Sequence, residues 1–125
     1  MKHLVQSPNA PNPGGAYSQG VLAGGWFFTA GMGPVDPDSG QVVGSTIEAQ
    51  TSQVMHNLQA LLEAAGLGFE HVVRVTAHLH DVNRDFSGFN RTYATFFGDE
   101  FPVRTTVGSQ LMGILVEIDM IATVP

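Results

Sequence analysis

The sequence predicts an α+β fold. Two amphipathic helices are interleaved with six short strands in the order β-β-β-α-β-α-β-β. Three observations point to it. Ile47, Val54, Met55, Leu58, Leu61, Leu62 and Ala65 recur at helical spacing. Phe86, Phe89, Tyr93, Phe96 and Phe97 mark a second apolar helical stripe. Around these lie short β-branched or alternating runs, bounded by Gly and Pro.

Leu4-Val5-Gln6 is a short strand. Ser7 to Gly15 holds three of the seven prolines and reads as a loop. Tyr17–Ala23 and Trp26–Ala30 flank Gly24-Gly25, a hairpin signal. Asp36-Pro37-Asp38-Ser39-Gly40 is a turn, with Pro pre-setting φ, and its two acids are turn residues rather than a carboxylate pair. Ser45 or Thr46 caps the long helix, and Gly66 and Gly68 stop it. Val73, Val75, Ala77 and Leu79 alternate with Arg74, Thr76, His78 and His80, which predicts a strand with one buried face. Asp85 is expected to begin the second helix. Arg104–Ser109 and Ile114–Val124 are the last strands, joined through Gly113.

At 125 residues the chain is expected to be one domain, 1–125. No apolar run reaches the roughly 18 residues that cross a bilayer, and residues 1–6 lack the apolar core of a secretory signal. There is no cysteine, which excludes disulfides and thiolate chemistry and fits a cytoplasmic location. Eleven acids against five basic residues give a net charge of −6, unfavourable for broad nucleic-acid binding. Only 13% of residues are charged, which suggests that part of the surface is covered by copies of the chain. Two helices can cover one sheet face only, so the other face is expected to meet another subunit through the apolar last strand.

Arg104, in Phe101-Pro102-Val103-Arg104-Thr105-Thr106-Val107, sits among apolar and β-branched residues. Its planar fork of donors calls for a carboxylate or phosphate partner. Glu117 lies in the following strand, Ile114-Leu115-Val116-Glu117-Ile118-Asp119-Met120-Ile121. The two residues either form a structural salt bridge or line a small polar pocket. His78-x-His80 is a weaker metal-pair pattern with no third ligand near it in sequence. No metal site or organic cofactor is expected.

The chain resembles the Rid family of reactive-intermediate imine/enamine deaminases, formerly called L-PSP endoribonucleases. The shared residues run from Ser7 to Val124: Gly15-Ala16-Tyr17-Ser18-Gln19, Asp36-Pro37 through Gly40, Gln50-Thr51, Asn57 and Ala64-Ala65-Gly66. They continue with Asp85-Phe86, Asn90, Tyr93, Phe96-Phe97, Pro102-Val103-Arg104 and Val116-Glu117-Ile118. The resemblance implies a chorismate-mutase-like sandwich of the bacillus type, with two helices on one face of a mixed sheet. It also implies a homotrimer with sites between neighbouring subunits. Arg104 would bind the substrate and Glu117 would position water. Tyr17, Gly31, Asn90 and Thr106 would complete the binding site. The chain departs from the family at Ala30-Gly31-Met32, where Ser-Gly-Gln is usual. It departs again at Thr106, where cysteine is usual, and at Leu111-Met112, in place of Leu-Pro in a shorter loop.

The implied reaction hydrolyses a 2-imino acid, the tautomer of an enamine such as 2-aminoacrylate, to a 2-keto acid and ammonia. The alternatives are a non-catalytic module that binds or senses 2-keto acids through Arg104 and, third, a ribonuclease. Retention of Glu117 favours the enzyme, because a pure carboxylate binder gains little from a second negative charge. The charge balance and the lack of a His–His or His–Lys pair near Arg104 disfavour the ribonuclease.

Overall fold

Six strands form one mixed sheet in the computed structural model, which describes residues 1–125. They are β1 (His3–Val5), β2 (Gly20–Ala23), β3 (Trp26–Thr29), β4 (Val72–Leu79), β5 (Val103–Gly108) and β6 (Val116–Thr123). Helix α1 spans Ile47–Ala64 and α2 spans Val82–Ala94. The spatial order is β1-β2-β3-β6-β4-β5. Only β4 and β5 pair in parallel, and α2 provides the crossover that a parallel pair requires. The element order and the two-helix layer on a mixed sheet are those predicted from sequence.

Local chemistry sets the boundaries. Gly24 and Gly25 both have positive φ and close the β2–β3 hairpin. The Thr46 side chain accepts from the Ala49 N–H and caps α1, and Gly66 at φ 76° follows its end. Helix α2 begins earlier than expected. Asp81 is its cap, accepting from the Arg84 N–H at 3.1 Å, and Asp85 lies within the first turn. Asp85 is buried and Arg84 grips both its oxygens, at 3.0 and 2.9 Å. Phe96 and Phe97 lie beyond the helix end and pack on Phe69.

Alternation along the strands sorts the core. Val75, Ala77 and Leu79 of β4 and Val116, Ile118, Met120 and Ala122 of β6 are buried with Phe27. Opposite them are Val54, Met55, Leu58, Leu61 and Leu62 of α1 and Phe89 and Tyr93 of α2. Val73 was expected on this buried face but is exposed. The register shifts between Val72 and Arg74, and that irregularity puts Val72 into the core and turns Val73 outward.

The second sheet face carries no helix. Its apolar content comes mostly from strands other than the expected one, because Val116, Ile118, Met120 and Ala122 of β6 point to the helices and only Ile121 of that strand's aliphatic residues faces outward. Trp26, Phe28, Val73 and Ile121 form the exposed apolar patch, and Val103 and Val107 are exposed on β5. Leu4 of β1 is also exposed.

Three buried amides tie loops to this frame. Gln19 accepts from the Ser7 N–H and donates to the carbonyls of Ser7, Ala10 and Pro11. Gln50 donates to the Gly44 carbonyl and accepts from the Leu115 N–H. Asn57 donates to the carbonyls of Gly33 and Val35, at 3.0 and 2.9 Å. Asn57→Ala strands these two carbonyls and is expected to destabilise the protein by about 1–3 kcal/mol. Urea unfolding at fixed protein concentration measures this, and an unchanged midpoint would contradict the assigned role of Asn57.

Candidate active site

The sequence-predicted site residues fall into two groups, one around Arg104 and one around Glu117, whose side chains lie on opposite faces of the sheet. Strand β5 places Arg104 level with buried Val75 of β4, so its side chain lies on the helix side. There the guanidinium carbon lies 4.7 Å from the ring centre of Tyr93, 5.2 Å from Phe89 and 5.7 Å from Phe86. These rings come from one face of α2, at positions 86, 89 and 93. Cation–π attraction and packing hold the guanidinium against them. Asn90, Tyr93, Ala94, Phe101, Pro102 and Arg104 line a cleft of about 350 Å³. Thr106 is two residues along the same strand and therefore on the same face as Arg104.

Glu117 points the other way. It alternates with buried Val116 and Ile118 and pairs across the sheet with His78 on the open face. Met32 exchanges both backbone hydrogen bonds with Ile118, which brings the preceding Gly31 against Glu117. A Cβ at Gly31 would lie 2.8 Å from a Glu117 carboxylate oxygen, so the absence of a side chain makes room for the acid. Beside it, a second cleft of about 360 Å³ is lined by Tyr17, Gln19, Gly31, Met32, Gly33 and neighbouring loop residues.

Tyr17 was expected to open the second strand. The strand starts at Gly20, and Tyr17 lies exposed in the preceding loop, where its hydroxyl accepts from the Gly14 N–H at 3.0 Å. Asn90 is exposed at the rim of the Arg104 cleft.

The structural salt bridge between Arg104 and Glu117 does not form within the chain. Arg104 makes no ion pair, and the chain's ion pairs involve Arg84, Arg91 and His71 instead. The physical reason is the pleat, which puts the two side chains on opposite faces. The histidine pair is also divided. His78 Nδ1 meets the Ser109 hydroxyl at 2.7 Å, and His80, past the strand end, accepts from the Leu111 N–H. Both imidazoles thus hold the β5–β6 loop. Asp119, two residues from Glu117 on the open face, has its carboxyl pushed up by burial, partly opposed by His78 and Arg74. Burial likewise raises the Tyr93 hydroxyl, to about 12, against the opposing pull of Arg104.

Sequence reasoning missed the aromatic cradle under Arg104. Phe86, Phe89 and Tyr93 were legible as a helix stripe, but their placement under β5 depends on the parallel crossover.

Residues 7–124 match the model of the family described as endoribonuclease L-PSP, also called the RidA family, and the chain belongs to it. It is 43% identical over 124 residues to a RutC family protein of Pyrococcus horikoshii, covering 98% of each chain. It is 36% identical to the 2-iminobutanoate/2-iminopropanoate deaminase of Rattus norvegicus, covering 98% of this chain and 90% of the rat protein. Among solved structures, YyfA of Yersinia pestis, of the conserved Rid protein family, superposes with a TM-score of 0.94. It is 38% identical, with 99% of this chain and 100% of that one covered.

Gly31→Ala is expected to push the Glu117 carboxylate out of its present place while leaving the fold intact, because the clash falls on the end of a flexible side chain. A crystal structure of the variant reads this directly, and an unmoved Glu117 would contradict the close-approach role of Gly31.

Proposed function

We propose that this protein hydrolyses reactive 2-imino acids and their enamine tautomers to 2-oxo acids and ammonia. We further propose that it acts as a homotrimer whose sites join two neighbouring chains, without metal or organic cofactor. One observation carries the reading: Arg104 is held on an aromatic floor, facing a cleft, with no acid partner in its own chain. A half-shielded guanidinium of this kind suits a ligand carboxylate. The rat relative, named for imine deamination, supports the same chemistry.

In this reading Arg104 of one chain grips the substrate carboxylate with two parallel hydrogen bonds and fixes the imine carbon. The neighbouring chain brings Tyr17, Gly31 and Glu117 to the other side. Glu117 orients a water and accepts its proton as the oxygen bonds to the imine carbon. That proton is returned to nitrogen to give a carbinolamine. The new hydroxyl's proton then passes to the amino group, and the C–N bond breaks as the C=O bond forms, releasing ammonia. Thr106 and the backbone at Gly31 hold the amino nitrogen, Asn90 lines the rim and Tyr17 covers the ligand. The apolar open face, with Trp26, Phe28, Val73 and Ile121, provides the surface on which chains pack together.

The second reading, a module that binds 2-oxo acids without turnover, draws on the thinning of polar groups at Ala30, Met32 and Thr106. A ribonuclease draws only on the family's older description. The net charge of −6 and the engagement of His78 and His80 with a loop count against it.

A coupled assay separates the first two. A PLP-dependent dehydratase generates imines from serine or threonine, and 2-oxo acid release is timed with and without this protein. Arg104→Ala is expected to lower both ligand affinity and turnover by about tenfold to a hundredfold, from a loss of about 1.5–3 kcal/mol. Arg104→Lys should rescue poorly, since an ammonium lacks the fork. Glu117→Gln should keep or tighten carboxylate binding while slowing hydrolysis. Wild-type protein that binds 2-oxo acids but never speeds their release would establish the binding module instead.

A further inference from the structure

One polar group in the Arg104 cleft has no partner in the chain. The Tyr93 hydroxyl is buried and unpaired, in a residue only 3% exposed. Its ring is fixed between Phe89, at 5.5 Å, and Phe97, at 4.9 Å. Tyr93 lines the cleft next to Asn90 and Arg104. The Arg104 guanidinium lies over the same ring and acts on the hydroxyl by charge and as a hydrogen-bond donor toward its oxygen. No well-formed hydrogen bond joins them, however, and the phenolic proton has no acceptor in the chain.

We propose that Tyr93 is a further substrate-binding residue, whose hydroxyl donates a hydrogen bond to the ligand carboxylate alongside the two donated by Arg104. The inference rests on the 2-imino and 2-oxo acid reading given above. A buried hydroxyl without a partner is destabilising, and phenylalanine would fill the same space between the same rings without that cost. Phe86 and Phe89 on the same face of α2 show that the cradle itself asks only for rings. The hydroxyl is therefore explained by a partner that arrives with the ligand. A carboxylate oxygen has lone pairs to spare after a bidentate contact with arginine. A tyrosine hydroxyl is protonated throughout the neutral range, and burial raises its pKa further, so it is available as a donor. Its rigid placement means that little conformational freedom is lost on binding.

The test is Tyr93→Phe in the full-length chain, with 2-oxobutanoate as probe. Calorimetric affinity, thermal unfolding and oligomeric state are measured together. The expected result is roughly tenfold weaker binding of 2-oxobutanoate, with the melting temperature unchanged or raised and assembly intact. The KM for an imine substrate should rise by a similar factor, with little change in kcat. Equal affinity in wild type and variant would overturn the proposal and leave the parent reading standing. A lower melting temperature or a lost oligomer would also overturn it, because the hydroxyl would then be bonded to a neighbouring chain rather than to ligand. Wild-type protein that binds no 2-oxobutanoate would overturn the parent reading and this inference with it. In that case Arg104→Ala and Tyr93→Phe would be indistinguishable from wild type in binding.

Discussion

Successive side chains of a strand point to opposite faces, and this alternation along β5 and β6 governs the arrangement of the molecule. Once Val116, Ile118, Met120 and Ala122 are committed to the helices, Glu117 must face the open side. Once Arg104 stands level with Val75, its guanidinium must reach the aromatic face of α2. A slip of one residue in either register would bury a charge and expose a core side chain, so these two directions are strongly specified. The cation and the acid are thereby kept apart within the chain by the same packing that makes the fold stable.

Each cleft is lined by one stretch of the chain, residues 90–104 in one and 11–40 in the other, and buried amides hold the less regular parts in place. Asn57 of α1 fixes the segment at Gly33 and Val35, which lines the cleft beside Gly31. Gln19 fastens the loop on which Tyr17 sits. The Met32–Ile118 bridge sets how closely Gly31 approaches Glu117. The Arg104 side depends instead on aromatic packing, because α2 presents Phe86, Phe89 and Tyr93 as one floor. One cleft is thus built from backbone and amide contacts, and the other from rings and one charge.

Much of this was legible in the sequence. Helical spacing in α1, the Gly24-Gly25 turn and the β-branched final strands gave the element order because each reflects a local preference. The features that were not legible depend on pairing. The irregularity that turns Val73 outward has no composition signal, since valine suits either face. The start of α2 was misplaced because Asp81 and Asp85 are both acceptable near a helix N-terminus, and only the Arg84 contacts with Asp85 distinguish them. Arg104 and Glu117 stand out in the sequence as a cation and an acid on successive strands, with a structural salt bridge as the plainer reading. Sequence separation alone could not reveal that a sheet lies between their side chains.

The central claim is that a working site takes Arg104 from one chain and Glu117 from another. Subunit mixing tests it most directly. Arg104→Ala and Glu117→Gln proteins, each deficient alone, are unfolded together in equal amounts, refolded and assayed for imine hydrolysis. Random assembly pairs an intact Arg104 with an intact Glu117 at about one interface in four, so activity should return to about a quarter of the wild-type value. A mixture no more active than the two variants measured separately, despite verified subunit exchange, would contradict the shared site.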